Sequence, residues 1–478
     1  MVKLKLRVRT VEVTADGDGL VSHAGTALLA ELADRVGLTG SLSGALASTR
    51  ERRSAHDPGR VLRDIAVMLA DGGDCVTDLD GLLGQERLFG PVASETTTHR
   101  TLKAVNEGVL ARVRAARAVA RERAWDAGGR PDSLTLDIDA TLLTARSEKD
   151  LASGNYKHGY GFHPLGCWLA ETGEPLAVML RPGNAGSNTA ADHFEVLQLA
   201  LAQIPAADLE REMLVRTDVG GATHAFTAEC RDARIGFSIG HPIDQQIRDQ
   251  ILEIPENAWV AAIDSDGEDR DGACVAELTD QLDLSAWPQG SRLVVRRERP
   301  HPGAQFTIFD EHGYRHTAFL TDQPGDIPTL EMRHRQRARV EDCIRTAKDT
   351  GMRNLPHQAF THNQTWLELS LIAQELLCWT RLLLLDARLR LAEPKRLRHR
   401  LLHVAGRIGQ HGRRVRLRLQ ADWPLGYRAH QRVRPPESQP PALLSSRRSQ
   451  RRPTDDHNQA DATSACPRSD PSRPSRTR

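Results

Sequence analysis

Aromatic side chains are scarce in this 478-residue chain, at 4% of positions, so a core built on stacked rings is excluded and Leu, Ala, Val and Ile have to supply it. The seven cysteines (Cys75, Cys167, Cys230, Cys274, Cys343, Cys378 and Cys466) never occur in C-x-x-C spacing, and their number is odd. That argues against a disulfide framework and against a zinc ribbon or finger, and it fits a reducing cytoplasm. The opening residues MVKLKLRVRT lack the apolar stretch of a signal peptide. No long apolar run is free of charge. The strongest window, LELSLIAQELLCWTRLLLLD, is interrupted by Glu368, Glu375 and Arg381 and reads as a buried helix, not a membrane span. Neither sign of charge dominates, since the formal net charge is +1, but the balance is uneven: residues 381–420 hold twelve Lys/Arg against Asp386 and Glu393.

The length and 39% hydrophobic content allow two or three domains with ordinary cores. KLKLRVRTVEV (3–13) alternates as a strand with a basic face, and residues 20 to about 128 carry helical periodicity broken at AHDPG and LFGP. Together residues 1–128 read as a strand plus a helical domain. Its segment from Thr96, with His99, Arg100 and Lys103, is suited to docking on phosphates and equally to forming a solvated face. After the turn-rich GGRPDS, residues 129–244 give strand, strand, strand, helix, strand, helix, strand, the pattern of an α/β layer with a mixed sheet. Residues 245–328 read as a β-rich insertion and 329–392 as helices completing the core. Residues 393–430 read as a basic helical region and 431–478 as a disordered tail rich in Pro, Ser and Arg. Apolar residues disappear so abruptly after about 430 that the tail looks like sequence read out of frame.

LTLDIDAT (134–141) poses the chemical question. Leu134, Leu136 and Ile138 point to one side of a strand, which leaves Asp137 and Asp139 together on the other. Asp218 follows the apolar strand Met213–Val215 where it gives way to a loop, and Glu341 lies in the helical stretch RHRQRARVEDCIRTAKDTG. Carboxylates gathered at strand ends repel unless a cation lies among them, and a divalent ion with hard-oxygen preference, such as Mg²⁺, resolves this. Two ions about 4 Å apart suit phosphodiester displacement. His334, Arg337, Glu341, Arg345 and Lys348 fall within one arc of an ideal helix. They read either as a metal ligand flanked by phosphate grips or as a solvated, paired face.

These residues resemble the DDE transposases of bacterial insertion sequences, and most closely their thirteen-eighty family, over roughly residues 20–420. The group's helix signature of Tyr, two residues, Arg, three residues, Glu, six residues and Lys is matched by Arg337, Glu341 and Lys348, with His334 where the Tyr would stand. Asp139-Ala140-Thr141 matches the first motif and Asp218 the second. The LRPGN run at 180–184 adds to the likeness. The resemblance implies a ribonuclease-H-like catalytic core carrying a β-rich insertion. It also implies two Mg²⁺ ions (Mn²⁺ in their place is possible) held by Asp139, Asp218 and Glu341, with Asp137 either the ligand instead of Asp139 or a supporting acid. His334, Arg337, Arg345 and Lys348 would contact DNA; Arg181 and Asn184 would do so too, or would merely shape their turn. The implied partners are double-stranded DNA at transposon ends and target, and a second copy in a synaptic dimer, in a bacterial cytoplasm. The implied activity is binding of terminal inverted repeats with metal-dependent cleavage and strand transfer. The alternatives are an inactive transposase-derived DNA-binding protein and a metal-dependent nuclease without strand transfer.

Overall fold

The N-terminal residues do not form one strand. In the computed structural model β1 (Val2–Lys5) and β2 (Thr10–Val13) pair antiparallel, Val2 opposite Val13 and Lys5 opposite Thr10. The structure describes residues 2–5, 10–50, 55–187, 189–300, 303, 312–412 and 414–420. The short β3 (Leu20–Val21) leads into a helical layer of α1 (Ala27–Arg35), α2 (Leu38–Ala45) and α3 (Pro58–Asp71). The start of α3 follows local chemistry: the Asp57 side chain accepts the Arg60 amide at 3.0 Å, and Pro58 occupies the first turn, where its missing N–H is harmless. The turns α4 (Asp80–Leu83) and α5 (Glu86–Phe89) precede α6 (Glu95–Lys103) and the long α7 (Glu107–Ala124).

One nine-stranded mixed sheet dominates the middle of the chain. It begins with β4 (Leu134–Ala140); β5 (Leu143–Thr144), β6 (Ser153–Gly154) and β7 (Tyr160–Phe162) form a small separate sheet beside it. The large sheet continues through β8 (Leu165–Leu169) and β9 (Pro175–Met179) to α8 (Ala190–Leu201), β10 (Met213–Thr217), α9 (His224–Asp232), β11 (Gly236–His241) and α10 (Gln245–Glu253). Strands β12 (Val260–Ile263), β13 (Asp269–Glu277), β14 (Arg292–Glu298) and β15 (Arg315–Thr321) come next. The spatial order is β12-β13-β14-β15-β11-β10-β4-β8-β9, with β10 parallel to both β4 and β11. The insertion is therefore not a body apart: β15 pairs antiparallel with β11, and the inserted strands extend the same sheet. The β-rich pattern was legible in the sequence. Its attachment was not, because edge pairing is a long-range choice that no local pattern encodes.

The sheet is covered on both faces. Leu134, Leu136 and Ile138 pack with Val215, Phe237, Val196 of α8 and Phe226 of α9. The other face meets α11 (Ile327–Arg335), α12 (Val340–Ala347) and the 25-residue α13 (Phe360–Leu384), whose Trp366, Leu369 and Leu376 share a core with α1, α3 and α7. That apolar window is thus an interior helix, and among the described residues no helix is long and apolar enough to cross a membrane.

Of the basic helical region expected at 393–430, the described residues form helical turns only up to Leu402 and then two strands, and residues 413 and 421–430 lie outside the described residues. After α14 (Ala387–Arg390), α15 (Pro394–Leu397) and a π turn at Arg398–Leu402, the chain forms β16 (Gly406–His411) and β17 (Arg414–Leu419), with β16 also pairing β3. RVRLRL alternates strictly, and the charge run masked that period-two signal. Residues Met1–Arg434 form one compact unit; the tail at 431–478 lies outside the described residues.

Candidate active site

Register brings the first two acids together. Parallel pairing sets Arg216 beside Asp137 and Thr217 beside Ile138, so one step further along the two chains carry Asp218 and Asp139. At the end of β10 the chain turns, and the Asp218 side chain caps that turn by accepting the Gly220 amide at 2.9 Å. The close pass of this loop over β11 requires Gly240, where an added Cβ would sit 3.0 Å from the Val219 nitrogen and 3.1 Å from the Asp218 carbonyl carbon. Glu341 comes from the first turn of α12, which packs near β4.

Burial and charge define the site electrostatically. Burial pushes the Asp139 carboxyl up to about 6; the Arg337 guanidinium opposes this, and the charges of Asp218 and Glu341 reinforce it. Arg337 approaches Asp139 at 3.4 Å. Three acids thus share one field, with Arg337 the cation paired to Asp139. The set is all hard oxygen donors, the chemistry that Mg²⁺ or Mn²⁺ takes while keeping its own waters. As a set, their oxygens do not meet within 4.8 Å. Among the described residues that spacing is reached elsewhere, by His23, Asp71 and His403 and by Asp74, Cys75 and Asp78. By donor type, Asp139, Asp218 and Glu341 fit the ion.

Asp137 has a different partner. Arg216 grips it from the neighbouring strand at 2.7 and 2.8 Å, engaging both carboxylate oxygens. The third guanidinium nitrogen of Arg216 donates to the Arg333 carbonyl, tying β10 to α11. Asp137 is thus tied to the neighbouring strand through both oxygens, and burial holds its carboxyl at about 6 despite the arginine. Sequence reading missed Arg216, although its place two residues before Asp218 on the same strand face was a usable signal.

The helix that was to present one arc is broken. A 3₁₀ turn at Gln336–Arg339 separates α11 from α12, and a π turn at Lys348–Met352 follows. Arg337 still turns to Asp139, and the Lys348 ammonium donates to the Leu142 carbonyl at 3.1 Å, beside the end of β4. Arg345 leaves the group, pairing at the surface with Asp342 at 2.7 Å and Glu393 at 3.0 Å. His334 stacks on Phe319, the ring centroids 4.4 Å apart and the planes 6° from parallel, while its Nδ1 meets Ser238 Oγ at 2.9 Å. Burial, with the nearby charges of Arg337, Arg216 and Arg296, lowers it to about 3, so the ring is neutral. Its remaining edge lines a cavity of about 490 Å³ shared with Asp218, Arg337, His241 and Arg248.

Arg181 does not reach this space. It is buried, donating to the His163 carbonyl at 2.9 Å, to Asp192 at 2.8 Å and to the Gly186 carbonyl at 3.2 Å, and so it shapes the turn. Asn184 is exposed and bonded to Ser153. His163, a residue the sequence reading passed over, lies close enough to Asp218 to feel its charge; burial nevertheless lowers its pKa.

Acids on two neighbouring strands and a following helix, with an arginine beside them, belong to a chain that matches a known family along most of its length. The model of the transposase DDE domain group 1 family covers residues 4–434. The chain belongs to this family. It is a DDE-type transposase. No curated protein matches the sequence of this transposase. Among solved structures, a piggyBac transposase synaptic complex with hairpin DNA is similar over 81% of this chain and 82% of that chain, at 10% identity and a TM-score of 0.41.

Proposed function

We propose that this transposase binds the terminal inverted repeats of a bacterial insertion sequence of the thirteen-eighty type and catalyses divalent-metal-dependent cleavage and strand transfer. The observation that carries this reading is the shared field of Asp139, Asp218 and Glu341 beside a single paired arginine. The strand order β9-β8-β4-β10-β11 within the large sheet supports a ribonuclease-H-like core spanning residues 129–244 and 329–392. Two Mg²⁺ or Mn²⁺ ions held by the three acids would supply nucleophile activation and charge neutralisation at the scissile phosphate.

The chain's own residues then have separable tasks. Asp137 and Arg216 lock the two central strands so that Asp139 and Asp218 stay side by side. Arg337 holds Asp139 in orientation and, with Lys348 at the strand end, offers positive charge to the phosphates flanking the cleaved bond. Neutral His334 braces this wall. Arg345, Asn184 and Arg181 stand outside the chemistry, the last as the staple of its turn. No covalent enzyme intermediate is needed: positioning and electrostatics suffice for phosphoryl transfer. Synapsis of two ends would require a dimer, and the setting would be the bacterial cytoplasm.

The test uses duplexes bearing the element's ends, with Mg²⁺. Joined products are expected. Cleavage with no joining would reduce the enzyme to a nuclease, and binding with no cleavage would make it a relic.

A further inference from the structure

The β3–β16–β17 sheet has two unlike faces. Ile408 lies opposite Leu417 and Gly406 opposite Leu419, and Ile408, Leu417 and Leu419 pack inward with Val21, Ala24 and Val404. The outer face carries Arg407 opposite Arg418, with Arg416 one pair along, opposite Gly409. All three arginines are exposed. Like charges set directly across a ladder are destabilising. Among the described residues no acidic side chain pairs with any of them; Arg407 donates only to the Asp18 carbonyl, at 3.2 Å.

The face is also firmly mounted. His23, just past β3, and His403, just before β16, stack with ring centroids 3.7 Å apart. Both are held by Asp71 at the end of α3, at 2.7 and 3.2 Å. Arg398 is driven into the same helix end, donating to the Ala70 carbonyl at 2.8 Å. Among the described residues this cluster of like charges has no acidic counter-charge.

We infer that this outer face is a docking surface for the phosphate backbone of duplex DNA, outside the cleavage site. The inference rests on the DNA-acting reading above and adds where else the duplex is held. Arginine forks match phosphate oxygens two at a time. Arg416 and Arg418 stand about 6.8 Å apart along their strand, a spacing that a backbone bearing a charge every few ångströms can meet. A protein partner fits less well, because protein interfaces are built on apolar and aromatic anchors, and the registered positions of this face offer only Leu20.

The experiment measures equilibrium binding of the full chain to duplex DNA across a salt series of about 50 to 200 mM. The variant R407Q/R416Q/R418Q should show a salt slope shallower by about 2.7 and an affinity reduced at least tenfold, with an unchanged thermal melt. Should the triple variant melt early, R416Q/R418Q serves instead, with a slope change of about 1.8. An unchanged slope in a folded variant overturns the inference and leaves the cleavage reading standing, as does tighter binding to polyglutamate than to DNA. A wild-type chain that binds no DNA at any salt overturns both. E341Q should keep the full slope while losing cleavage, which separates docking from chemistry.

Discussion

Two clusters of acids in this molecule, one buried and one at a solvent-facing rim, have opposite fates. Between α7 and α13, Glu174, Glu368 and Glu375 face Arg114, Arg117 and Arg121, three anions against three cations, all buried except the partly exposed Arg114. Arg117 spans Glu368 and Glu375, Arg121 spans Glu375 and Glu174, and the ring N–H groups of Trp379 and Trp125 reach Glu174 at 2.8 and 3.2 Å. There the arginines hold Glu368 below its usual range although burial acts to raise it. At the end of β4 Asp139 sits among acids with Arg337 as its cation, and its carboxyl rises to about 6. Matched charge makes a brace. Unmatched charge, at a rim open to solvent through Asp218 and Glu341, makes a place for a cation to enter.

The largest effect expected from breaking this contrast is chemical. D139N or E341Q should cut cleavage of end-containing DNA by about a thousandfold, the loss of several kcal/mol of charge stabilisation, while urea unfolding measured with Mg²⁺ present stays within about 1 kcal/mol of the parent. Cleavage within tenfold of the parent in either variant would remove the acid from the site. E375Q should do the reverse: with Arg117 and Arg121 left short of an anion, stability should fall by about 3–5 kcal/mol in urea titration. A loss below about 1 kcal/mol would mean the brace is ornamental.

The two clusters should also respond to pH with opposite sign. Glu368 has a lowered folded pKa, so its stabilisation is present above its unfolded value of 4.5 and is lost as pH falls through the folded one. Asp139 has a raised folded pKa, so its contribution is fully present below the unfolded value of 3.8 and is lost as pH rises through about 6. In metal-free protein the second swing is at most about 3 kcal/mol. Unfolding free energy followed from about pH 3.5 to about pH 7.5 should fall in the parent and fall less in D139N, where Asp137 alone keeps a raised carboxyl in this site. Identical curves would put Asp139 in water. Mg²⁺ added at neutral pH should restore stability to the parent and do little for D139N.

The smallest effect is expected at Arg345. Its partners Asp342 and Glu393 are exposed, so R345A should shift unfolding by no more than about 0.5 kcal/mol and leave cleavage near the parent rate. A large loss of cleavage would return this residue to the phosphate grips.

Much of the site was legible because its signals are local. Alternation in LTLDIDAT set Asp137 and Asp139 on one face, and the strand-to-loop break marked Asp218. What the sequence could not disclose depends on neighbours distant along the chain. Only the β4–β10 register reveals that Arg216 occupies Asp137, while Asp139 meets Arg337 instead. Helical periodicity assumed one unbroken helix and so placed Arg345 with Arg337, but the 3₁₀ turn at Gln336–Arg339 changes the phase. Arg181 read from sequence as a DNA contact or a turn-shaping residue, and only its burial against Asp192, distant in the local pattern, favours the second. The alternation in β17 was present all along beneath its charge.

The continuity of the large sheet sets a mechanical consequence. Six ladder steps separate β4 from β12, about 29 Å at the usual interstrand distance. Hydrogen-bonded strands do not stretch, so whatever rests on the far edge sits at a set distance from the acids, and the inserted module works as a yardstick rather than a tether.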